Sequence, residues 1–347
     1  MENRARLLSV DILKGLGIIA VVIIHPIVWM YVYNDQGGLR YAQGDVLLRF
    51  LCYSGAPFFA LMLPVLAAIS FFWAFAHDRL GLAKVLGRAL AISALGFLMN
   101  FLAWGSRDAF DWDVLQFIAL SMLVTYPLLK KLPRPAAVWT IGLLGVVALF
   151  FARSFPQIGS RHSYAYAVLF GDLSGENYWP LLPWFSLFAL GICLGFSLLR
   201  WERVMPKLPV LGALLFFLAF FSGNFFPQYN PTDIWGPAIF KPPVLFMAGQ
   251  VGFYLMVIPL TQLLLKKSIR LKRWLEHSAL VVYAQGILWI YLTTVIVGFH
   301  LAEFIFSLRV INFKQSLLVV LLMVSLNLFL GYLVGRVVSL RKRISYV

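Results

Sequence analysis

Residues 6–26 read RLLSVDILKGLGIIAVVIIHP, and the apolar run inside this stretch continues from Ile12 to Tyr33. A hydrocarbon core about 30 Å thick needs about 20 predominantly apolar residues in helical form, so this run is long enough to cross a bilayer. Basic residues precede it, as they precede the apolar region of a secretory signal. No small-residue cleavage site follows, however, and Lys14 and His25 lie within the run. It therefore reads as a retained helix and not as a cleaved leader.

The remainder of the chain repeats the pattern. Of 347 residues, 61% are hydrophobic and 12% charged, about half the charged share of a soluble domain. Ten apolar windows recur with short polar breaks, at 12–33, 46–76, 83–104, 113–130, 135–152, 180–200, 207–226, 242–265, 274–299 and 315–338. The expectation is an all-α integral membrane protein of about ten transmembrane helices, one polytopic domain over residues 1–347. The second window contains Pro57 and Pro64 and is long enough to be tilted or kinked.

Placing successive loops on alternate sides puts 20 Lys and Arg on one side and 8 on the other, with Lys14 inside the first window. The basic excess belongs in the cytoplasm, which predicts cytoplasmic N- and C-termini in a cell (inner) membrane. The net charge of +15 is thereby read as orientation signal and contact with anionic lipid headgroups, not as a nucleic-acid footprint. Cys52 and Cys193 both fall in apolar windows, so neither a disulfide framework nor a thiolate metal cluster is expected. Two long outer connections, about 153–179 and 227–241, carry Asp172, Glu176 and Asp233 and are rich in Tyr, Asn, Pro and Trp. Loops of that size on one face often shape a substrate mouth.

Polar groups in the apolar core are expensive unless satisfied, so those within the windows are the first functional candidates. They are Asp11, Lys14, His25, Asn100, Gln116, Gln250, His277, Gln285 and Asn327. Asp11 and Lys14 are three apart, share a helix face and are spaced to pair. His25 lies eleven residues beyond Lys14, almost three whole turns and about 16 Å deeper, so the two point the same way. That arrangement suits a tunnel entered from the cytoplasm, with a cation holding the phosphates of a carrier and a mid-membrane imidazole moving a proton or accepting an acyl group. The alternative is that Lys14 snorkels to the headgroups and His25 only hydrogen-bonds between helices.

Other positions carry paired readings. Asn100 and Gln116 either bind acceptor hydroxyls or hold an oxyanion, or they join helices by hydrogen bonds. Asp113 reads foremost as the anion that begins the fourth helix. Trp179 and Trp184 either stack on a sugar or belong to an interfacial belt. The pairs Gly191 with Gly195 and Gly331 with Gly335 read as close helix packing. Arg79, Lys84 and Arg88 straddle the cytoplasmic start of the third window and serve either as anchors or as ligands of nucleotide phosphates. His77, His162 and His300 show no metal-ligand spacing, and no metal is expected. His277, beside Glu276, reads as a cap or headgroup contact.

The quoted first stretch resembles the opening helix of the acyltransferase-3 superfamily, whose signature is a basic residue, ten intervening residues and a His; Lys14 and His25 match it. Further stretches resemble bacterial relatives of heparan-alpha-glucosaminide N-acetyltransferase, in the family order. They are GAPFFALMLPV from Gly55, GFLMN ending at Asn100, DVLQFIALSML around Gln116, YWPLLPWFSLFALGICLG from Tyr178, KPPVLF from Lys241 and SALVVYAQGIL from Ser278. The resemblance implies a membrane enzyme that passes an acyl group, most often acetyl, from cytoplasmic acetyl-CoA to a sugar or glycan acceptor, with His25 as the catalytic residue. The chain departs from the family in two places. Animal members carry their essential His in the loop after the first helix, and the loop Asn34 to Asp45 has none. Many relatives carry a His near the position of Gln285. The expected function is acyl transfer with His25 as general base or transient acyl carrier, Lys14 and Asp11 at the CoA end, and homo-oligomers left open. The alternatives are a transporter or flippase, which predicts a broken helix at mid-membrane, and a non-catalytic scaffold, which the loss of His at Gln285 would suit.

Overall fold

The computed structural model describes residues 7–31, 56–154, 164–171, 179–200, 204–222, 242, 244–307 and 313–344. The loop from Asn34 to Asp45, residues 155–163, 172–178 and 223–241 of the outer connections, Cys52 and His162 lie outside them. Every regular element among the described residues is helical. In chain order they are α1 (Leu8–Tyr31), α2 (Ala56–Ala60), α3 (Leu63–Ala76), α4 (Leu82–Trp104), α5 (Val114–Lys131), α6 (Arg134–Ser154), α7 (Tyr164–Phe170), α8 (Leu181–Leu199), α9 (Leu208–Phe221), α10 (Val244–Lys267), α11 (Ile269–Glu276), α12 (Ala279–Gln285), α13 (Ile287–Ser307) and α14 (Phe313–Ile344).

Among the described residues eight helices are long and apolar enough to cross a membrane, and nine if the pair α12 and α13 is one broken span. The chain is a multi-pass membrane protein. Each of the ten expected windows holds helix, but three depart from a simple span. The second is interrupted at Leu61 and Met62, one turn after Pro57 and just before Pro64. The seventh gives the 14-residue α9, about 21 Å of helix against a core of about 30 Å. The ninth is bent by 82° between α12 and α13, where Gly286 sits between the two helices.

The described residues form two compact units. In the first, drawn from Met1–Leu63 and Leu260–Val347, α1 packs against α2, α12, α13 and α14. Glycines set the approach. A Cβ on Gly15 would strike the Leu280 carbonyl of α12 and lie 2.8 Å from the Leu280 Cα, so α1 and α12 cross with backbones nearly touching. A Cβ placed on Gly286 would lie 2.8 Å from the Gly335 Cα of α14, and Gly331 faces Ile290 and Tyr283. The buried centre holds Ile18, Val21, Val22, Tyr283 and Ile290.

In the second unit, drawn from Pro64–Gln228 and Trp235–Pro259, α8 is the central helix and packs on α5, α6 and α7. Its Gly191 lies on the Val65 carbonyl and Ala68 of α3, and its Gly195 on Phe72, with a Cβ placed 3.1 Å from that ring. Gly191, Gly195, Gly331 and Gly335 thus act as the close-packing positions the sequence suggested. Small residues let helix backbones approach where lipid offers no competing hydrophobic gain. Gly212 and Gly252 bring α9 against α10 in the same manner.

Candidate functional site

His25 stands on α1, half-buried, between the buried Ile24 and Pro26. Pro26 lacks the N–H that would bond the Val22 carbonyl, so the helical ladder is opened at the turn that carries the imidazole. The His25 Nδ1 lies 2.8 Å from the Val21 carbonyl oxygen. A carbonyl accepts only, so Nδ1 carries the proton and the neutral ring has its lone pair on Nε2. His77 and His277 make the same bond one turn back, to Trp73 and Arg273, but both are exposed. What distinguishes His25 is its place within a span. Tyr291 of α13 meets its ring edge-on, with centroids 6.3 Å apart and planes at 82°.

Lys14 and Asp11 are half-buried on the same helix. Lys14 has an interaction partner, and the Asp11–Lys14 pair stays the expectation that the spacing gave. The i, i+3 spacing places the two on one face but does not set their rotamers. Gln285 ends α12 at the break, half-buried, one residue before Gly286. Among the described residues no three His, Cys, Asp or Glu side chains come together.

In the second unit Asn100 and Gln116 converge on one acceptor. Asn100, fully buried, donates from Nδ2 to the Asp111 carbonyl at 2.7 Å, and Gln116 donates from Nε2 to the same oxygen at 3.4 Å. Gln116 Oε1 also accepts from the Asp113 amide at 3.3 Å, closing a capping box in which the Asp113 carboxylate takes the Val114 amide at 2.6 Å. Asp113 is the N-cap of α5, as its place before the apolar run suggested. The turn leaves α4 through Gly105 at φ +90°, a conformation side chains oppose. Asn100 and Gln116 hold this turn to the helix ends, and their hydrogen bonds are those of a joint. Asn100 Oδ1 remains without a partner among the described residues.

Trp184 is 1% exposed and packs on Trp179 with ring centroids 4.5 Å apart, while Trp112 Nε1 donates to the Trp179 carbonyl at 2.8 Å. Trp184 is therefore an internal packing residue and not a member of a lipid-facing belt. Trp179, whose ring also stacks on Phe117, is half-buried. Arg79, Lys84 and Arg88 are all exposed, the last two one turn apart on α4. They set positive charge at the positive end of the helix dipole, which the helix alone disfavours. His300 pairs with Glu303 at 3.6 Å near the end of α13, and His277 caps the C-terminus of α11.

Two features of the His25 surroundings had no sequence signal strong enough to single them out. Tyr291 is one aromatic residue among many. The bend at Gly286 leaves hydropathy unchanged, and only the glycine after Gln285 hints at it.

No curated protein matches the chain. The family model of the heparan-alpha-glucosaminide N-acetyltransferase catalytic region matches residues 6–229, which include α1 and His25 and make up more than half of the 347 residues, and the chain belongs to that family.

Proposed function

We propose that this protein is a membrane acetyltransferase that moves an acetyl group from cytoplasmic acetyl-CoA to a hydroxyl or amine of a glucosamine-type acceptor. The observation that carries the reading is the place of His25 within a membrane span of a chain in this family, its Nδ1 2.8 Å from the Val21 carbonyl oxygen, which leaves Nε2 to act as base. In the reaction Nε2 takes the proton of the acceptor hydroxyl or amine as that atom attacks the thioester carbonyl carbon. The tetrahedral intermediate then expels the sulfur, which receives the proton from His25 and leaves as the CoA thiol. Transient acylation of Nε2 reaches the same products in two steps. Lys14 serves the CoA end of the path, about 16 Å from His25 along the helix. Arg79, Lys84 and Arg88 supply exposed positive charge suited to the nucleotide phosphates. The chain acts as one membrane domain with cytoplasmic termini in the cell membrane.

The test is release of CoA thiol from acetyl-CoA by detergent-purified protein offered glucosamine, in wild type and His25→Ala. Loss of a general base costs about 10²–10⁴-fold, so the variant should fall to near background while still binding acetyl-CoA. Full turnover by a folded His25→Ala would sink the assignment.

One observation favours a second reading. The 82° break between α12 and α13 is the kind of discontinuous helix that transporters use at substrate sites. In proteoliposomes, acceptor movement without thiol release would select that reading over transfer.

A further inference from the structure

Asn327 lies in α14, beyond the part of the chain that the family match covers. It is 2% exposed, and among the described residues neither its Oδ1 nor its Nδ2 has a hydrogen-bond partner. Both ends of an amide left unsatisfied within a span is an expensive arrangement, and polar groups kept at such depth mark substrate paths.

Its position follows from the packing of the first unit. The buried stripe of α14 runs Val320, Met323, Asn327, Gly331 and Gly335, at the three- and four-residue spacing of one helix face. Gly335 lies on Val282 and Gly286, and Gly331 on Ile290 and Tyr283. The residue after Asn327 is tied in as well, since the Tyr283 hydroxyl donates to the Leu328 carbonyl at 2.6 Å. Leu328 packs on the cluster of Ile18, Val21, Val22, Tyr283 and Ile290, whose α1 members lie one to two turns before His25. Depth can then be compared. Gly15 crosses α12 at Leu280 and Gly335 at Val282, residues within one turn of each other. From that level Asn327 is eight residues along α14 and His25 ten along α1, about 12 and 15 Å. Counted along the two helices the positions differ by about 3 Å, and Tyr291 of α13 lies against His25.

We infer that Asn327 is a substrate-binding residue that holds a hydroxyl-bearing acceptor at the level of His25, its amide taking one hydroxyl proton on Oδ1 and donating from Nδ2 to a neighbouring hydroxyl oxygen. A pair of adjacent sugar hydroxyls meets both needs, because each hydroxyl both donates and accepts. The inference rests on the acetyltransferase reading and adds to it an acceptor contact from the C-terminal helix.

The experiment compares wild type, Asn327→Leu and Asn327→Gln, with glucosamine as the acceptor probe. Two readouts are used: equilibrium binding of glucosamine to purified protein, and the KM values for glucosamine and acetyl-CoA. Asn327→Leu should weaken glucosamine binding and raise its KM about tenfold, with the KM for acetyl-CoA unchanged and the variant no less heat-stable than wild type. Asn327→Gln should recover part of the loss. An orphaned structural amide predicts otherwise: Asn327→Leu melts higher and binds glucosamine as before, and that result overturns the inference. Wild type that binds no glucosamine overturns it also. Wild type that binds glucosamine through Asn327 but releases no thiol would instead remove the transferase reading and leave the binding site standing.

Discussion

Replacing Gly15 with Ala tests the crossing that holds the His25 helix in place. A Cβ at this position falls 2.8 Å from the carbonyl carbon and the Cα of Leu280, and closer still to its oxygen. Carbon atoms in good contact stand about 3.5–4.0 Å apart, so α1 and α12 must part by about 1 Å. The contact is backbone, with no flexible side-chain end to swing aside. Overpacking of this kind costs about 1–3 kcal/mol. The effect on turnover should be larger than on stability, because a misplacement of about 1 Å in a reacting group can cost about 10²-fold. The control is Gly87→Ala on α4, where a Cβ meets nothing within 4 Å. That exchange should leave melting unchanged or raise it, since Ala is favoured over Gly in a helix by about 1 kcal/mol. Melting of the purified variants and thiol release from acetyl-CoA are the assays. A Gly15→Ala protein that melts and turns over like wild type would refute the close crossing at Leu280, and with it the account of how His25 is positioned.

Gln116→Ala removes the side chain that closes the α5 capping box and binds the Asp111 carbonyl. It should lower stability by about 1–3 kcal/mol and the melting temperature by several degrees, while the KM for glucosamine stays put; a large KM rise at unchanged melting would return Gln116 to the substrate site. Lys14→Gln should raise the KM for acetyl-CoA about tenfold with little change in the KM for glucosamine, and an unaltered acetyl-CoA KM would reduce Lys14 to a membrane anchor. These join the outcomes expected for His25→Ala and for Asn327→Leu.

How far the sequence could be read depends on whether the relevant signal lay in the side chains. Ten apolar windows are visible because each must satisfy a bilayer, and each holds helix; the small-residue pairs Gly191 with Gly195 and Gly331 with Gly335 are visible because only such residues let helices touch. Window length did not reveal that α9 is short or that the ninth span turns through 82° at Gly286, since apolar composition is blind to direction. Asn100 and Gln116 stood out as polar residues in apolar surroundings. Their common partner is a backbone carbonyl, which no residue type announces. The burial of Trp184 depends on α8 being the central helix of its unit, a fact of tertiary packing that its own neighbours do not encode. His25 stood out by its depth, which left two readings of it open until the resemblance was added, and its Nδ1 contact with the Val21 carbonyl required the coordinates.

α1, which bears His25, is made well before its neighbours α12, α13 and α14. At about 5–20 residues per second, the ribosome needs on the order of 15–60 s to travel from the end of α1 to the end of α14. Throughout that interval the first span faces lipid or the insertion machinery on the side that α14 will cover. The helices around His25 are thus complete only once α14 has been made. A chain that stops before α12 would lack both the Tyr291 ring against His25 and the α14 face that carries Asn327.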